Sequence, residues 1–180
     1  MNRPPGGGAV PEAPPPPGVE IRPGRPRDAR GLHAHIAAVA AERRYIRMEG
    51  DIWSVGQIRR RLRRPWTPDR AELVAVTDDE VIGSLSIARD AGPITRHVSS
   101  LGMSVDREWR GRGIGSALLA EAFRWARWAG VEKVTLTVYP GNERARRLYR
   151  KFGFAEEGRL TGHSKKSYGY EDEVIMARWV

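Results

Sequence analysis

Residues 101–116 read Leu-Gly-Met-Ser-Val-Asp-Arg-Glu-Trp-Arg-Gly-Arg-Gly-Ile-Gly-Ser, and the rest of the chain is arranged around them. Leu101, Met103 and Val105 alternate as one face of a strand, the run stops at the polar turn Asp106–Glu108, and glycines at 111, 113 and 115 open a helical pattern. In that pattern Leu118, Leu119, Ala122, Trp125, Ala126 and Ala129 share one face, Glu121, Arg124 and Arg127 lie elsewhere, and Gly130 ends the helix. Strand, glycine loop and helix in that order form a turn whose first helical amides have no intrahelical partner, which suits a phosphate.

The loop differs from two better-known glycine loops. No Gly-Lys-Ser/Thr closes it, and its Gly-x-Gly-x-Gly spacing is not the Gly-x-Gly-x-x-Gly of a dinucleotide site, which also wants an acidic residue about 20 positions on. The next strand, Lys133 to Val138, ends instead in Tyr139-Pro140-Gly141-Asn142. On glycines alone, a phosphate loop and a plain tight turn are equally open readings.

A second segment adds to the first. Arg110-Gly111-Arg112-Gly113-Ile114-Gly115 after a strand, with Asn142, Ala145, Leu148, Tyr149 and Phe152-Gly153-Phe154 downstream, resembles the GCN5-related N-acetyltransferase (GNAT) family. The loop is close to that family's Arg/Gln-x-x-Gly-x-Gly/Ala, and the Asn-x-x-Ala-x-x-x-Tyr-x-x-x-Gly-Phe segment lies at the expected distance. The match is strongest from about Val98 to Leu160 and extends from about Val19 to the end of the chain.

Composition narrows the chemistry. At 180 residues the chain fits one domain, large enough to bury roughly two-thirds of its unfolded surface. There is no cysteine, which excludes disulfides, thiolate metal sites and a cysteinyl acyl intermediate. The net charge is +9, and of 31 basic residues only four are lysines. Such a chain attracts polyanions, whether nucleic acid or a pyrophosphate-bearing cofactor, but none of the usual nucleic-acid modules is visible, so no specific nucleic-acid partner is expected. No apolar run has the length of a membrane span and no secretory signal is visible, so the expected location is cytoplasmic, without a membrane partner.

Nine of the 13 prolines lie at or before position 26, and with Gly6–Gly8 and Gly18 they mark residues 1–18 as a disordered Pro/Gly-rich tail ahead of a single domain over 19–180. Val19 to Ile21 suggests a first strand and Ala29 to Arg44 a helix with Leu32, Ile36, Val39 and Ala40 on one side. His33 and His35 fall on different faces and read as surface or boundary residues rather than a metal pair. Val55, Ile58 and Leu62 carry a short second helix whose arginines, 59 to 61, 63 and 64, form either a solvated face or an anion-attracting rim. Trp53 and Trp66 read as core plugs or pocket walls. Glu72–Val76 and Val81–Ala88 are strands joined at Asp78-Asp79, with Gly83 marking a bulge, and His97–Val105 leads to the glycine loop. Asn142 caps a helix carrying Ala145, Leu148, Tyr149 and Phe152. Ala155–Leu160 and Glu173–Trp179 pair around a flexible loop, Thr161–Gly169. The class is α+β, in three layers: a mixed, mainly antiparallel sheet of six to seven strands flanked by about four helices.

The resemblance implies the acyl-CoA N-acyltransferase fold and the family's reaction, transfer of an acetyl group from acetyl-CoA to a primary amine, with no metal. It implies that the strands before the glycine loop and before Asn142 splay apart to admit the donor. Loop amides from Arg110 to Ser116 (Arg110, Gly111, Arg112, Gly113, Ile114, Gly115, Ser116) would hold the pyrophosphate, with the Arg110 and Arg112 side chains adding positive charge beside it. Met103, Ser104 and Val105 would pair with the pantetheine arm through their backbone. Asn142 would cap its helix, contact the donor, or do both. Tyr149 carries over as the general acid and as a residue that contacts the donor, although an aromatic on that apolar face is also an ordinary core residue. Without cysteine, direct attack by the amine is the economical route, and Glu49, Asp51 and His97 are candidate bases by position only. The expected acceptor is a small-molecule amine or a peptide amino terminus; the acids of Tyr170-Glu171-Asp172-Glu173 suit a cation or a solvated strand start. A homodimer is compatible with the sequence, and a longer acyl donor stays open. Two other readings compete: a non-catalytic acyl-CoA sensor, which has no need of Tyr149, and a basic nucleic-acid-binding protein.

Overall fold

Strand-forming runs recur in both halves of the chain, and each pairs with a neighbour in one sheet. The computed structural model describes residues 8–45 and 53–180. In chain order these form β1 (Glu20–Pro23), α1 (Ala29–Ala41), α2 (Val55–Arg61), β2 (Trp66–Thr67), β3 (Arg70–Thr77), β4 (Glu80–Arg89), β5 (Val98–Val105), α3 (Ile114–Trp128), β6 (Lys133–Val138), α4 (Glu143–Lys151), β7 (Ala155–Lys166) and β8 (Gly169–Trp179). The strands make one eight-stranded sheet in the order β1-β3-β4-β5-β6-β8-β7, with β2 paired to β3. The count exceeds the expected six to seven because Trp66-Thr67 is too short to show a period.

Every pairing is antiparallel except β5 with β6. That parallel pair is brief: Val98–Ser100 lie against Lys133–Thr135, and the strands then part. Leu101–Val105 remain in register with β4 alone, and Leu136–Val138 with β8 alone. The splay expected between these strands is therefore present.

Helices cover both faces. Leu73, Leu85, Ile87, Leu101, Leu136 and Met176 pack with α3 and α4 in the larger apolar cluster, around Trp125, Phe123 and Phe152. Val74, Val76 and Val81 pack with Leu32 of α1, Ile58 of α2 and Leu62 at the end of α2 in a smaller one. Trp125 is fully buried and its Nε1 donates to the Thr67 carbonyl at 2.8 Å. Trp125→Phe removes that bond and some volume, so the unfolding free energy measured in urea is expected to fall by about 2 kcal/mol.

Local signals account for the turns. Asp78 and Asp79 both adopt positive φ, 47° and 63°, as a two-residue hairpin of this hand requires. Beside it Ala75 pairs with Gly83 and Val76 with Val81, so the extra residue of the bulge is Ile82. Two expectations change. Thr161–Gly169 is largely strand: β7 and β8 continue to Lys166 and Gly169, leaving Ser167-Tyr168 as the connection, with register shifts absorbing the irregular sequence. Within the presumed tail, residues 1–7 lie outside the described residues, while Val10 and Ala13 pack against the larger cluster and Arg178 donates to the Gly8 carbonyl.

Candidate active site

A sheet covered on both faces should be apolar on both, and this one is not. On the α1/α2 face the central strands present Glu72, Ser84, Ser86, Ser100, Gly102, Ser104, Thr137 and Glu173, and all of these line one cleft of about 1350 Å³. The cleft continues through the β5–β6 splay to the glycine loop and α4. A Cβ on Gly102 would meet nothing within 4 Å, so the floor is open there.

The glycines of the loop have different reasons to be glycine. Gly113 is the N-cap of α3 with φ of 90° and open space where its side chain would be. Gly111 has φ of 84° and lies against the Arg144 guanidinium. Gly115 is a packing position, because a Cβ there would sit 3.0 Å from Leu148 and 3.4 Å from Met103. Open backbone at a 15-residue helix N-terminus with no acidic residue in its first turn fits an anion. The unpaired edge Leu101–Val105 beside it fits an extended, amide-bearing arm. The residues therefore suit acetyl-CoA.

Met103, Ser104, Val105, Arg110, Gly111, Gly113, Gly115, Ser116, Asn142 and Tyr149 line the cleft; Arg112 and Ile114 do not. Ile114 is buried against Gly83, anchoring the loop to the sheet. Arg112 is exposed with its guanidinium 5.0 Å from the Trp109 ring centre. Arg110 is committed inside the protein: Nε donates to the Val105 carbonyl at 2.9 Å, and its two terminal nitrogens grip Glu42. That grip holds the Glu42 carboxyl below its ordinary range and ties the loop to the end of α1. Arg107 and Arg144, which line the cleft, are cations at its mouth that sequence reasoning did not single out.

Asn142 caps α4, its Oδ1 accepting from Ala145 N at 3.2 Å. Tyr149 is buried on the same helix, packed edge-on to Phe154, and burial pushes its hydroxyl up to about 12. On the other side of the cleft Arg61 pairs with Glu72 and lies over Trp53, while Ser86 donates to Glu72 at 3.3 Å. Burial raises the Glu72 carboxyl above its ordinary value, tempered by Arg61 and Ser86.

Among the candidate bases, His97 stacks on Trp179 at the start of β5, the end away from the glycine loop, and does not line the cleft. Glu49 and Asp51 lie outside the described residues. His35, read as a surface or boundary residue, is instead buried, bonded to Asp106 and Ser104. The missed signal is the alternation itself: Ser84, Ser86, Ser100, Gly102 and Ser104 repeat every second residue on strands whose other face is apolar, which marks a wet face under a helical layer. Of the acids near the C-terminus, Asp172 is held by Gly162 N and Arg159, while Glu173 is buried in the cleft wall.

Among the described residues no helix is long and apolar enough to cross a membrane, and no cluster of metal-binding side chains occurs. Residues 40–154 match the model of the Acetyltransferase (GNAT) family. The chain is 36% identical to the L-amino acid N-acetyltransferase AaaT of Escherichia coli (strain K12) over 112 residues, 62% of this chain and 69% of that protein. It superposes on the acetyltransferase of GNAT family from Streptococcus pneumoniae with a TM-score of 0.84 and 27% identity, over 90% of this chain and 99% of that one. The phosphinothricin acetyltransferase of Sinorhizobium meliloti in complex with AcCoA shares the fold at a TM-score of 0.81 and 19% identity, over 91% and 89% of the two chains. A glycine loop at a helix N-terminus, a splayed strand pair and a polar sheet face lining one cleft thus coincide with a family match over most of the chain: it belongs to the GNAT acetyltransferase family and is an acetyl-CoA-dependent N-acetyltransferase.

Proposed function

We propose that the acceptor is a small molecule carrying a carboxylate beside its amino group, an amino acid being the simplest case, and that its neutral amine attacks the thioester directly. The observation that carries this reading is the Arg61–Glu72 pair on the wet face of the sheet. A cation and an anion side by side present to the cleft the complement of a zwitterion. The L-amino acid specificity in the name of the Escherichia coli relative agrees with it. Amides from Gly111 to Ser116 would take the pyrophosphate, with Arg107 and Arg144 near it, and the edge from Met103 to Val105 would take the pantetheine arm. Asn142 would join cap and donor contact.

Tyr149 would act on the departing sulfur. Full proton transfer from a phenol near 12 to a thiolate whose conjugate acid is near 8.5 is uphill by roughly 5 kcal/mol, so hydrogen bonding of the developing charge is the step its burial favours. A chain without cysteine offers no thiol for an acyl-enzyme.

The test is a panel of amino acids, their decarboxylated amines and short peptides, followed by release of free thiol from acetyl-CoA. Amino acids are expected to be the best acceptors. Arg61→Gln is expected to raise their KM by about 10- to 100-fold while leaving the decarboxylated amines within a factor of about two. Equal loss for both sets, or turnover confined to peptides, contradicts the zwitterion reading.

A further inference from the structure

We propose that His35 is the proton acceptor for the incoming amine, working through Ser104 and Ser84 and held in its active tautomer by Asp106. The inference rests on amine acetylation as the reaction, but not on which amine. His35 lies mid-way along α1 with a side chain of 0% exposure. Its Nδ1 is 2.5 Å from Asp106 Oδ1, its Nε2 2.8 Å from Ser104 Oγ, and Ser104 Oγ is 3.2 Å from Ser84 Oγ. Ser84 and Ser104 are paired in register on β4 and β5, and both line the cleft, whereas His35 and Asp106 do not. The row of hydrogen bonds therefore starts in the cleft, passes through its wall, and ends at a carboxylate whose side chain is 31% exposed.

The direction of the row follows from what each group can donate. An ionised Asp106 only accepts, so Nδ1 of the imidazole carries the hydrogen and Nε2 is left with its lone pair. Ser104 then donates to Nε2 and Ser84 to Ser104, which leaves the acceptor lone pairs of the outer hydroxyl facing the cleft. A proton from the substrate ammonium passes to Ser84 Oγ as the Ser84 proton moves to Ser104 Oγ and the Ser104 proton moves to Nε2. The product of this step is a neutral amine and an imidazolium beside the Asp106 carboxylate. The second N–H proton is lost when the amide forms and matches the proton taken up by the departing thiolate, so the net release is one proton, given up from Nε2 back along the serines once the product has left, which restores the Nδ1–H tautomer held by Asp106.

Asp106 is the charged group in contact with the ring. Other charges on elements around α1 are already engaged: Asp28 with Arg22, Arg61 with Glu72, and Glu42 with Arg110. Arg59 and Arg60 of α2 are exposed, as is Arg107 beyond Asp106. A histidine that merely staples α1 to β5 has no need of two hydroxyls leading into the cleft.

The experiment compares wild type, His35→Gln and the double variant Ser84→Ala/Ser104→Ala by thiol release across the pH range, with acetyl-CoA affinity measured by calorimetry. The serine variant leaves the His35–Asp106 contact in place, so it stays informative if the histidine variant folds poorly. At about pH 7 both variants are expected to lose about 100-fold in kcat/KM. The loss should shrink to a few-fold near pH 10, where a substantial share of even a lysine-like amine is neutral, and the acetyl-CoA affinity of His35→Gln should stay within about two-fold of wild type. A loss of the same size at every pH, no loss, or a parallel fall in acetyl-CoA affinity overturns the relay. If wild type itself releases thiol with no amine on the panel, the reaction assigned to the protein fails, a result distinct from failure of the relay alone.

Discussion

Gly113→Trp is expected to weaken acetyl-CoA binding by about 1000-fold, equivalent to about 4 kcal/mol. The position combines three properties: φ of 90°, the N-cap of α3, and open space above the backbone. An anion must come within hydrogen-bond distance of the first helical amides, and an indole there occupies that approach. Gly113→Ala separates the causes, since it suffers the same left-handed strain of about 1–2 kcal/mol with a single added carbon. Calorimetric titration with acetyl-CoA is expected to show a modest loss for alanine and no measurable binding for tryptophan, while thermal unfolding shifts similarly in both. Equal affinities for tryptophan and wild type place the pyrophosphate elsewhere.

Tyr149→Phe is expected to lower kcat by about 1000-fold with acetyl-CoA affinity unchanged. The ring packs against Phe154, and phenylalanine preserves that contact, so only the hydroxyl is lost. The pH dependence follows from burial. With the hydroxyl raised to about 12, the donor stays protonated throughout the working range and no fall in kcat below about pH 11 arises from its ionisation. The raised value also means that the neutral phenol is favoured in the folded state. Its contribution to stability is fully present below the unfolded value near 10 and is lost as pH rises towards 12. Tyr149→Phe should therefore resist alkaline unfolding better than wild type. If kcat in the phenylalanine variant stays within a few-fold, Tyr149 is a core residue alone.

What the sequence discloses depends on the range of the interaction. β6 has the expected bounds, Lys133–Val138, because Val134, Leu136 and Val138 alternate there with Thr135 and Thr137. Gly130, with φ of 68°, ends the α3 pattern, and Asn142 caps α4, both acting within a few residues. Residues 161–169 carry no alternation, and their strand character comes from cross-strand pairs such as Ser164 with Glu171 and Lys165 with Tyr170. The site divides the same way. The glycine loop and the Asn142–Tyr149 segment are contiguous and legible. His35 meets Asp106 across 71 residues and Arg110 meets Glu42 across 68, and no local pattern announces such pairs. Arg110 shows the consequence: a cation that adjacency to the loop assigns to the pyrophosphate is spent on a carboxylate from another helix.

The most direct measurement is thiol release from acetyl-CoA, with and without each amine of the panel, using a reagent that reacts with free thiol. The chain has no cysteine, so the signal belongs to the released donor thiol alone. Release that requires an amine, is fastest with an amino acid, and falls about 1000-fold in Tyr149→Phe is the expected result. Tight acetyl-CoA binding with no amine-dependent release from any acceptor contradicts it and makes the cleft a binding site without transfer.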